Sequence, residues 1–223
     1  IVISDLMRRY PLTNGYIYHI FTKSIAGFKV FRNNKDYQRM LELLKFYRVK
    51  NPPTRFSAYI EIKDKANFIK NFVREDELLV LIYAYCLMPT HIHLLLEQVC
   101  DNGISIFMKR VLDSYTRYFN LKIKRKGPLW QSKFKNVLVR DDAQMLHLTR
   151  YIHLNPTSDG LVEKPEDWKY SSYLEYISSQ KIKLCNTDKL ILNDYTSDDY
   201  KRFVEDRIDY QKTLSKIKEI LFF

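Results

Sequence analysis

Two histidines at positions 91 and 93 are the first residues of this chain whose types and spacing could support chemistry. They flank Ile92 inside the largely apolar run AYCLMPTHIHLLLEQ. Side chains two residues apart on a strand share a face, so both imidazoles would point the same way. Two neutral imidazoles can hold a divalent metal ion and leave positions for a substrate oxygen. Because histidines in apolar strands are often packed core residues, the pair alone does not decide the matter.

A tyrosine and an asparagine four residues apart form a second candidate group. Tyr151 and Asn155 lie in the segment LTRYIHLNP, and on a helix this spacing stacks both side chains on one face. A phenolate can attack a phosphate, and an amide oxygen can complete a metal shell. Such a pair is usually coincidence by itself, so its weight depends on what accompanies it.

Other histidines and tyrosines compete for these roles. His153 follows the tyrosine at i+2 and points away from it on a helix, so it is left out of the site. His19 lies in the first predicted strand and can face the same sheet surface as the histidine pair; we interpret it as a supporting or core residue rather than a ligand. Tyr115 and Tyr118 are rival nucleophiles, but their apolar helical spacing favours core packing.

A basic segment between residues 122 and 140, KIKRKGPLWQSKFKNVLVR, contains seven Lys or Arg and no acid, in a chain of net charge +11. Basic side chains neutralise phosphates and aromatic faces stack bases, a combination that favours single-stranded nucleic acid. The alternative is a solvated cationic face with its tryptophan in the core. The candidate DNA-binding residues are Lys122, Lys124, Arg125, Lys126, Trp130, Lys133 and Lys135.

Composition excludes several function classes. The three cysteines are odd in number and widely spaced, which fits neither a disulfide framework nor a paired CxxC zinc site. The five glycines build neither a GxGxxG nor a Walker loop, so no nucleotide cofactor is expected. No apolar run approaches eighteen residues and the first residues lack the plan of a secretory signal, so we expect a cytoplasmic protein without membrane association.

The elements that must position these residues follow from hydrophobic periodicity. Strands are predicted at residues 16–22, 56–62, 78–85, 91–97 and 135–140. Helices are predicted at residues 33–49, 65–73, 104–123, 141–155, 168–177 and 197–221, with Pro156 ending the fourth of them. Strands alternating with helices, without an internal repeat, predict an α+β domain built on one sheet.

Three segments, in this order along the chain, resemble a known family. AYCLMPTHIHLLLE, GPLWQSKFKNVLVRDD and LTRYIHLNPTSDGLV, the last followed by WKYSSY, are similar to the insertion sequence 200-like HUH transposases with a single catalytic tyrosine. The likeness is greatest to the branch associated with repeated extragenic palindromes, the REP-associated tyrosine transposases. It spans residues 16–177. It implies a ferredoxin-like or RRM-like core, with a single antiparallel sheet flanked by helices, as a catalytic domain at 1–178, and a helical C-terminal extension at 179–223.

The resemblance also assigns roles by position. It implies that His91 and His93 bind the metal, that Tyr151 is the nucleophile and that Asn155 is the third ligand. Other branches of the family carry Gln at this last position, whereas Asn is similar to the palindrome-associated branch. The implied cofactor is Mg²⁺ or Mn²⁺.

The activity implied by the resemblance is cleavage and rejoining of single-stranded DNA through a 5′-phosphotyrosine intermediate. Because the phosphate ester stays covalently bound, rejoining needs no ATP, in keeping with the missing phosphate-binding loop. The implied partner is single-stranded or hairpin DNA, and a monomer is favoured over a homodimer. A free phenol has a pKa near 10 and needs activation at neutral pH; the sequence does not identify the base.

Two departures and two alternatives stay open. Residues 52–76 are longer than we expect of the family, and the segment after residue 179 has no counterpart in the minimal catalytic core. Histidine-triad nucleotide hydrolases also place alternating histidines on a strand, but they need HxHxH and position 95 is Leu. A catalytically silent regulator that binds single-stranded DNA or RNA on the same fold is the remaining alternative.

Overall fold

A single four-stranded sheet organises the protein. The computed structural model describes residues 11–131, 133–178, 184–187 and 195–213, without the side chains of Phe72 and Glu75. The strands are β1 (Ile17–Lys23), β2 (Val80–Met88), β3 (His91–Gln98) and β4 (Lys135–Leu138), in the order β2-β3-β1-β4. All three pairings are antiparallel, which confirms the predicted fold class.

Helices cover both faces of this sheet. They are α1 (Asn34–Tyr47), α2 (Phe56–Ile60), α3 (Lys65–Phe72), α4 (Gly103–Lys122), α5 (Asp142–Ser158), α6 (Tyr173–Ile177) and α7 (Ser197–Glu205). Asn33 and Asp141 cap α1 and α5 by accepting hydrogen bonds from backbone amides in the first turn. In the described part of the chain, every helix is too short or too polar to span a membrane.

Strand alternation separates the two faces of the sheet. Ile92, Leu94 and Leu96 are fully buried and belong to the large core that also contains the apolar sides of α1 and α4. Leu95 points the other way and joins a smaller core with residues of α5, among them Ile152. Since side chains alternate along a strand, the odd-numbered positions of β3, including both histidines, face α5.

The segment at residues 56–62, predicted as a strand, is instead helical as α2. Phe56 and Tyr59 lie three residues apart, which is close to one helical turn, and both are buried against Phe46. A short aromatic run fits strand and helix patterns equally well, and packing against α1 decides in favour of the helix.

The second correction concerns the end of α5. Pro156 was predicted to end the helix, but α5 continues to Ser158. Proline removes one backbone donor, and the hydroxyls of Thr157 and Ser158 both donate to the carbonyl of Leu154. A third difference is that residues 168–177 are helical only from Tyr173, after a 3-10 turn at Pro165–Asp167.

The C-terminal extension packs on the core through α7. A capping box at Thr196 starts this helix, and Tyr200 and Val204 are fully buried. The predicted terminal helix at residues 197–221 is interrupted by a turn: α7 ends at Glu205, residues 208–213 are helical again, and residues 214–223 lie outside the described residues. The division of the chain at residue 178 stays a prediction.

His153 connects the extension to the core. Its Nδ1 atom lies 2.7 Å from the Tyr200 hydroxyl, and its Nε2 atom lies 2.7 Å from the Ser172 hydroxyl. The ring is fully buried, and burial lowers its pKa to about 3, so it is a neutral linker of α5, α6 and α7.

Replacing His153 by alanine should therefore lower the free energy of unfolding by about 2 to 4 kcal/mol, because two buried hydroxyls lose their partner and a cavity opens. Urea unfolding followed by circular dichroism measures this. His147→Ala, an exposed position on the same helix, is the matched control and should change stability by about 0.5 kcal/mol or less. Equal effects of the two substitutions would contradict the linker role.

Candidate active site

A cavity of about 770 Å³ lies between the sheet and α5. All four predicted catalytic and metal-binding residues line it: His91 and His93 from β3, and Tyr151 and Asn155 from α5. The register of the sheet adds His19 from β1, which also lines the cavity. The structure thus brings together side chains that are up to 136 positions apart in the sequence, from 19 to 155.

In each of the two histidines of β3, the Nδ1 atom of the imidazole ring takes part in a hydrogen bond. His91 Nδ1 lies 3.0 Å from the Thr90 hydroxyl, and His93 Nδ1 lies 3.0 Å from His19 Nε2. When Nδ1 donates in both bonds, the Nε2 atom of each ring keeps its lone pair for a metal ion. The ring centroids are 5.0 Å apart with planes at 89°. His19 thus holds the tautomer and orientation of its neighbour.

Burial keeps this group neutral. It lowers the pKa of His19 to about 4 and that of His91 to about 4. The pKa of His93 falls well below its usual range, first because of burial and then because of the neighbouring imidazoles. Neutral imidazole is the form that binds metal ions. The site therefore needs no deprotonation step before it can accept a cation at physiological pH.

The tyrosine and the asparagine of α5 meet the histidines across the cavity. The Tyr151 ring centroid lies 5.8 Å from that of His93, with the planes at 85°. The amide nitrogen of Asn155, a residue that is only 6% exposed, donates to the backbone carbonyl of Tyr151 over 2.7 Å. This bond fixes the amide so that its oxygen is left for another partner. Tyr151 and Asn155, four residues apart on α5, therefore lie on the same side of the helix, as the sequence predicts.

The hydroxyl of Tyr151 is not pre-activated by a neighbouring base. Burial raises the pKa of this phenol, and the Asp159 carboxylate and Cys86 raise it further. No described residue forms a hydrogen bond with the hydroxyl, so ionisation of this phenol at neutral pH would need a positive charge close to it.

Cationic side chains line the cavity. Lys23, Arg150 and Arg207 line it, and among the described lining residues Asp159 is the only acid. Arg150 is held in place, because its guanidinium donates to the Phe203 carbonyl. The cavity is thus suited to a polyanion.

Sequence reasoning missed these three cations and Gln211. Lys23 follows Phe21 at a strand spacing of two, and this signal would have placed it on the same face. Arg207 and Gln211 come from the C-terminal extension, and Gln211 donates to the Tyr151 carbonyl over 3.2 Å. No pattern in the sequence indicates where the extension returns to the core.

The two tyrosines that were rival candidates for the nucleophile lie outside this cavity. Tyr115 is fully buried and donates to the Val30 carbonyl, while Tyr118 donates to the carboxylate of Asp36. Neither lines the cavity of the histidine pair. His153 points away from that cavity, as its i+2 spacing predicts.

Five residues of the basic segment divide into three groups. Lys133 and Lys135 are exposed, the first just before the edge strand β4 and the second at its start, where it pairs with Phe21, a residue that lines the cavity. Arg125 donates to the Pro128 carbonyl and stabilises its own loop. Lys124 and Lys126 are exposed there as well.

Two members of the segment have partners within the protein. Trp130 is only 8% exposed and packs against Tyr115, so it has no free face for a base. Lys122 pairs with Asp36 on the other side of the sheet, away from the tyrosine. The position of an aromatic residue within a basic stretch does not indicate whether its ring is exposed for base stacking or buried in the core.

Part of the chain matches the sequence pattern of a known protein family. Residues 55–155 match the family model of the IS200-like transposases. We call this matched region the IS200-like segment. The IS200-like segment contains both histidines and ends at Asn155, so the matched region carries all four predicted catalytic and metal-binding residues, and the suspected resemblance is confirmed.

Relatives of the IS200-like segment have been described in bacteria. The chain is 33% identical over 100 residues to a putative REP-associated tyrosine transposase of Haemophilus influenzae, covering 40% of this chain and 57% of that protein. It is 26% identical over 93 residues to the REP-associated tyrosine transposase of Escherichia coli K12, covering 41% and 53%. The matches thus span little more than half of the length of these relatives.

A solved structure shares the fold around the IS200-like segment. It is a REP-associated tyrosine transposase bound to a REP hairpin, with a TM-score of 0.53 and 17% identity, covering 80% of this chain and 88% of that one. The similarity extends well beyond residues 55–155 and includes the antiparallel sheet with its flanking helices.

Proposed function

We propose that this protein cleaves and rejoins single-stranded DNA next to a hairpin, through a covalent 5′-phosphotyrosine at Tyr151. The observation that carries the proposal is the convergence of Tyr151 with His91, His93 and Asn155 on one cationic cavity. The IS200-like family match supports a DNA transposase. The solved neighbour, described as bound to a REP hairpin, supports hairpin DNA as the partner.

The donor set of the cavity fits a divalent cation. Two imidazole nitrogens and one amide oxygen are ligands that Mn²⁺ accepts readily and Mg²⁺ accepts less well. No three His, Cys, Asp or Glu side chains among the described residues are placed to share a metal ion, so the third ligand would come from another residue type, and Asn155 is the candidate. A divalent ion bound there would stabilise negative charge on the scissile phosphate.

The side chains that line the cavity then have separate roles in the proposed reaction. Lys23 and Arg150 hold the DNA strand by its phosphates, so that the scissile phosphorus faces Tyr151. The phenol oxygen attacks, the bond from phosphorus to the 3′ oxygen breaks, and the phenol proton leaves to solvent while the released 3′ oxygen takes one up. The phosphate ester is exchanged rather than hydrolysed, so the reverse attack by a 3′-hydroxyl rejoins DNA without ATP.

The direct test is incubation with end-labelled hairpin DNA that carries single-stranded flanks, with Mn²⁺ present, followed by denaturing gels. We expect a labelled band that migrates with the protein, disappears on protease treatment and does not form in excess chelator. If tight binding occurs and no adduct forms with either Mn²⁺ or Mg²⁺, the catalytically silent binding protein becomes the better description.

His19 supplies a second test, because it holds the orientation of His93. Substitution of His19 by Gln should weaken Mn²⁺ binding by about 10- to 100-fold, the usual effect of removing a partner of a ligating histidine. Isothermal titration calorimetry of the folded variant measures the affinity. His147→Gln, which alters another residue of the same cavity, should leave it unchanged. Equal affinities for the two variants would assign His19 to packing alone.

Assembly and location stay predictions.

A further inference from the structure

A second cavity, of about 910 Å³, lies on the α1 and α4 side of the sheet, opposite the side that carries Tyr151. We call it the helical groove. It lies between α1, α4 and residues 52–57, and no Asp or Glu is among the described residues that line it. Its cationic residues are Arg39, Arg55, Arg110, Arg117 and Lys122.

One longitudinal stripe of α4 forms the floor of the groove. Arg110, Ser114, Arg117 and Leu121 recur at intervals of three and four residues and all line it. From residue 110 to residue 122 the stripe is about 18 Å long, at about 1.5 Å per residue. A nucleic acid strand carries one phosphate per 3.4 Å of helix axis, so about five phosphates match this length.

The groove contains a fixed guanidinium. Arg39 lies over the rings of Phe56 and Tyr118, at 4.5 and 5.1 Å from their centroids. Its Nε atom is buried without a hydrogen-bond partner among the described residues. A guanidinium held close to two rings keeps its charge in one place and loses little conformational freedom when it meets an anion.

The other cations have two kinds of position. Arg110 donates to the carbonyls of Val49 and Lys50 at the end of α1, and Lys122 pairs with Asp36, so both shape the walls. Arg55 and Arg117 are exposed at the surface. Arg55 belongs to the segment that is longer than expected from the family, and this segment therefore supplies one wall of the groove.

We propose that the helical groove binds the sugar–phosphate backbone of nucleic acid, at a place separate from the cavity of Tyr151. Five cations, the absence of acids among the described lining residues and a length suited to several phosphates favour this partner. The inference goes beyond the proposed cleavage reaction and does not depend on Tyr151 being the nucleophile.

The test compares the full chain with the double variant Arg55→Gln/Arg117→Gln by fluorescence anisotropy at increasing KCl concentration. The probes are a hairpin DNA with single-stranded flanks and a blunt duplex without flanks. Each phosphate contact contributes about 0.9 to the slope of log K against log salt, so the variant should lose about 1.8 of slope. The control Lys35→Gln/Lys164→Gln removes two exposed cations that line neither cavity and should keep the slope.

Each outcome is informative. Loss of slope with both probes supports a site that takes duplex nucleic acid from any source, and loss with the hairpin only supports contact with the same DNA molecule that enters the tyrosine cavity. An unchanged slope with both probes, or an equal loss in the control, overturns the proposal. So does a variant that binds both DNA probes normally and loses binding to a poly-glutamate peptide. Formation of the covalent adduct is measured separately. A negative result for the helical groove therefore leaves the test of Tyr151 unaffected, and the reverse also holds.

Discussion

Replacing Tyr151 by phenylalanine should abolish the covalent protein–DNA adduct, with a loss of at least about 10³-fold in rate, as is usual when a nucleophile is removed. The substitution deletes one oxygen atom and keeps the ring, whose centroid lies 5.8 Å from that of His93. The hydroxyl has no hydrogen bond with a described residue that would be lost, so the fold should be unaffected. DNA affinity, measured by anisotropy, should change by less than about threefold, since phosphate contacts dominate it.

The matched control is Tyr210→Phe. Tyr210 lines the same cavity and is 58% exposed, and its substitution also removes one phenol oxygen there. We expect this variant to form the adduct at the rate of the parent. Adduct formation by Tyr151→Phe at the parent's rate, with loss in Tyr210→Phe, would move the nucleophile to the C-terminal extension. Loss in both variants would indicate that the two phenols act together.

The largest expected effect on stability comes from Asp36, a fully buried carboxylate between α1 and α4. It accepts hydrogen bonds from the Arg32 amide over 3.0 Å, from the Tyr118 hydroxyl over 2.7 Å and from the Lys122 ammonium. Burial alone would raise its pKa, but the bonds from Lys122 and Tyr118 lower it overall. Asp36→Ala leaves these donors without their shared acceptor, and we expect a loss of about 3 to 5 kcal/mol in the free energy of unfolding.

Urea unfolding followed by tryptophan fluorescence measures this loss. Asp113→Ala is the matched control, because Asp113 pairs with Lys109 on the exposed surface of α4, and an exposed i,i+4 pair contributes about 0.3 to 0.5 kcal/mol. A cost below about 1 kcal/mol for Asp36→Ala would show that its three donors find new partners. In that case the helical groove would also have changed shape, and its DNA binding should be measured in the same variant.

The sheet and the site could be predicted because their signals are local. Alternation places His91 and His93 on one face of β3, and the i,i+4 spacing places Tyr151 and Asn155 on one side of α5. The structure adds what joins these two halves, which is the packing of α5 on the sheet through the smaller core that contains Leu95 and Ile152. His19 could be assigned to the correct face by alternation, but its hydrogen bond with His93 depends on how the strands align.

The errors have tertiary causes. Residues 56–60 fit a strand as well as a helix until Phe46 is placed beside them. Trp130 follows basic residues in the sequence, yet the space beside Tyr115 draws its ring into the core. The path by which Gln211 reaches the Tyr151 carbonyl is set by packing of the extension, 60 residues further along the chain, and no short pattern encodes it.

The hydrogen bond between His19 and His93 has a consequence during synthesis of the protein. It joins residues 74 positions apart, and α5, which carries the tyrosine, follows almost 50 residues after the second histidine. Contacts of such long range form late, because the closing of large loops must precede any gain from them. A nascent chain therefore has no assembled tyrosine cavity while its first 140 residues leave the ribosome, and the proposed DNA cleavage would be confined to molecules in which α5 has packed on the sheet.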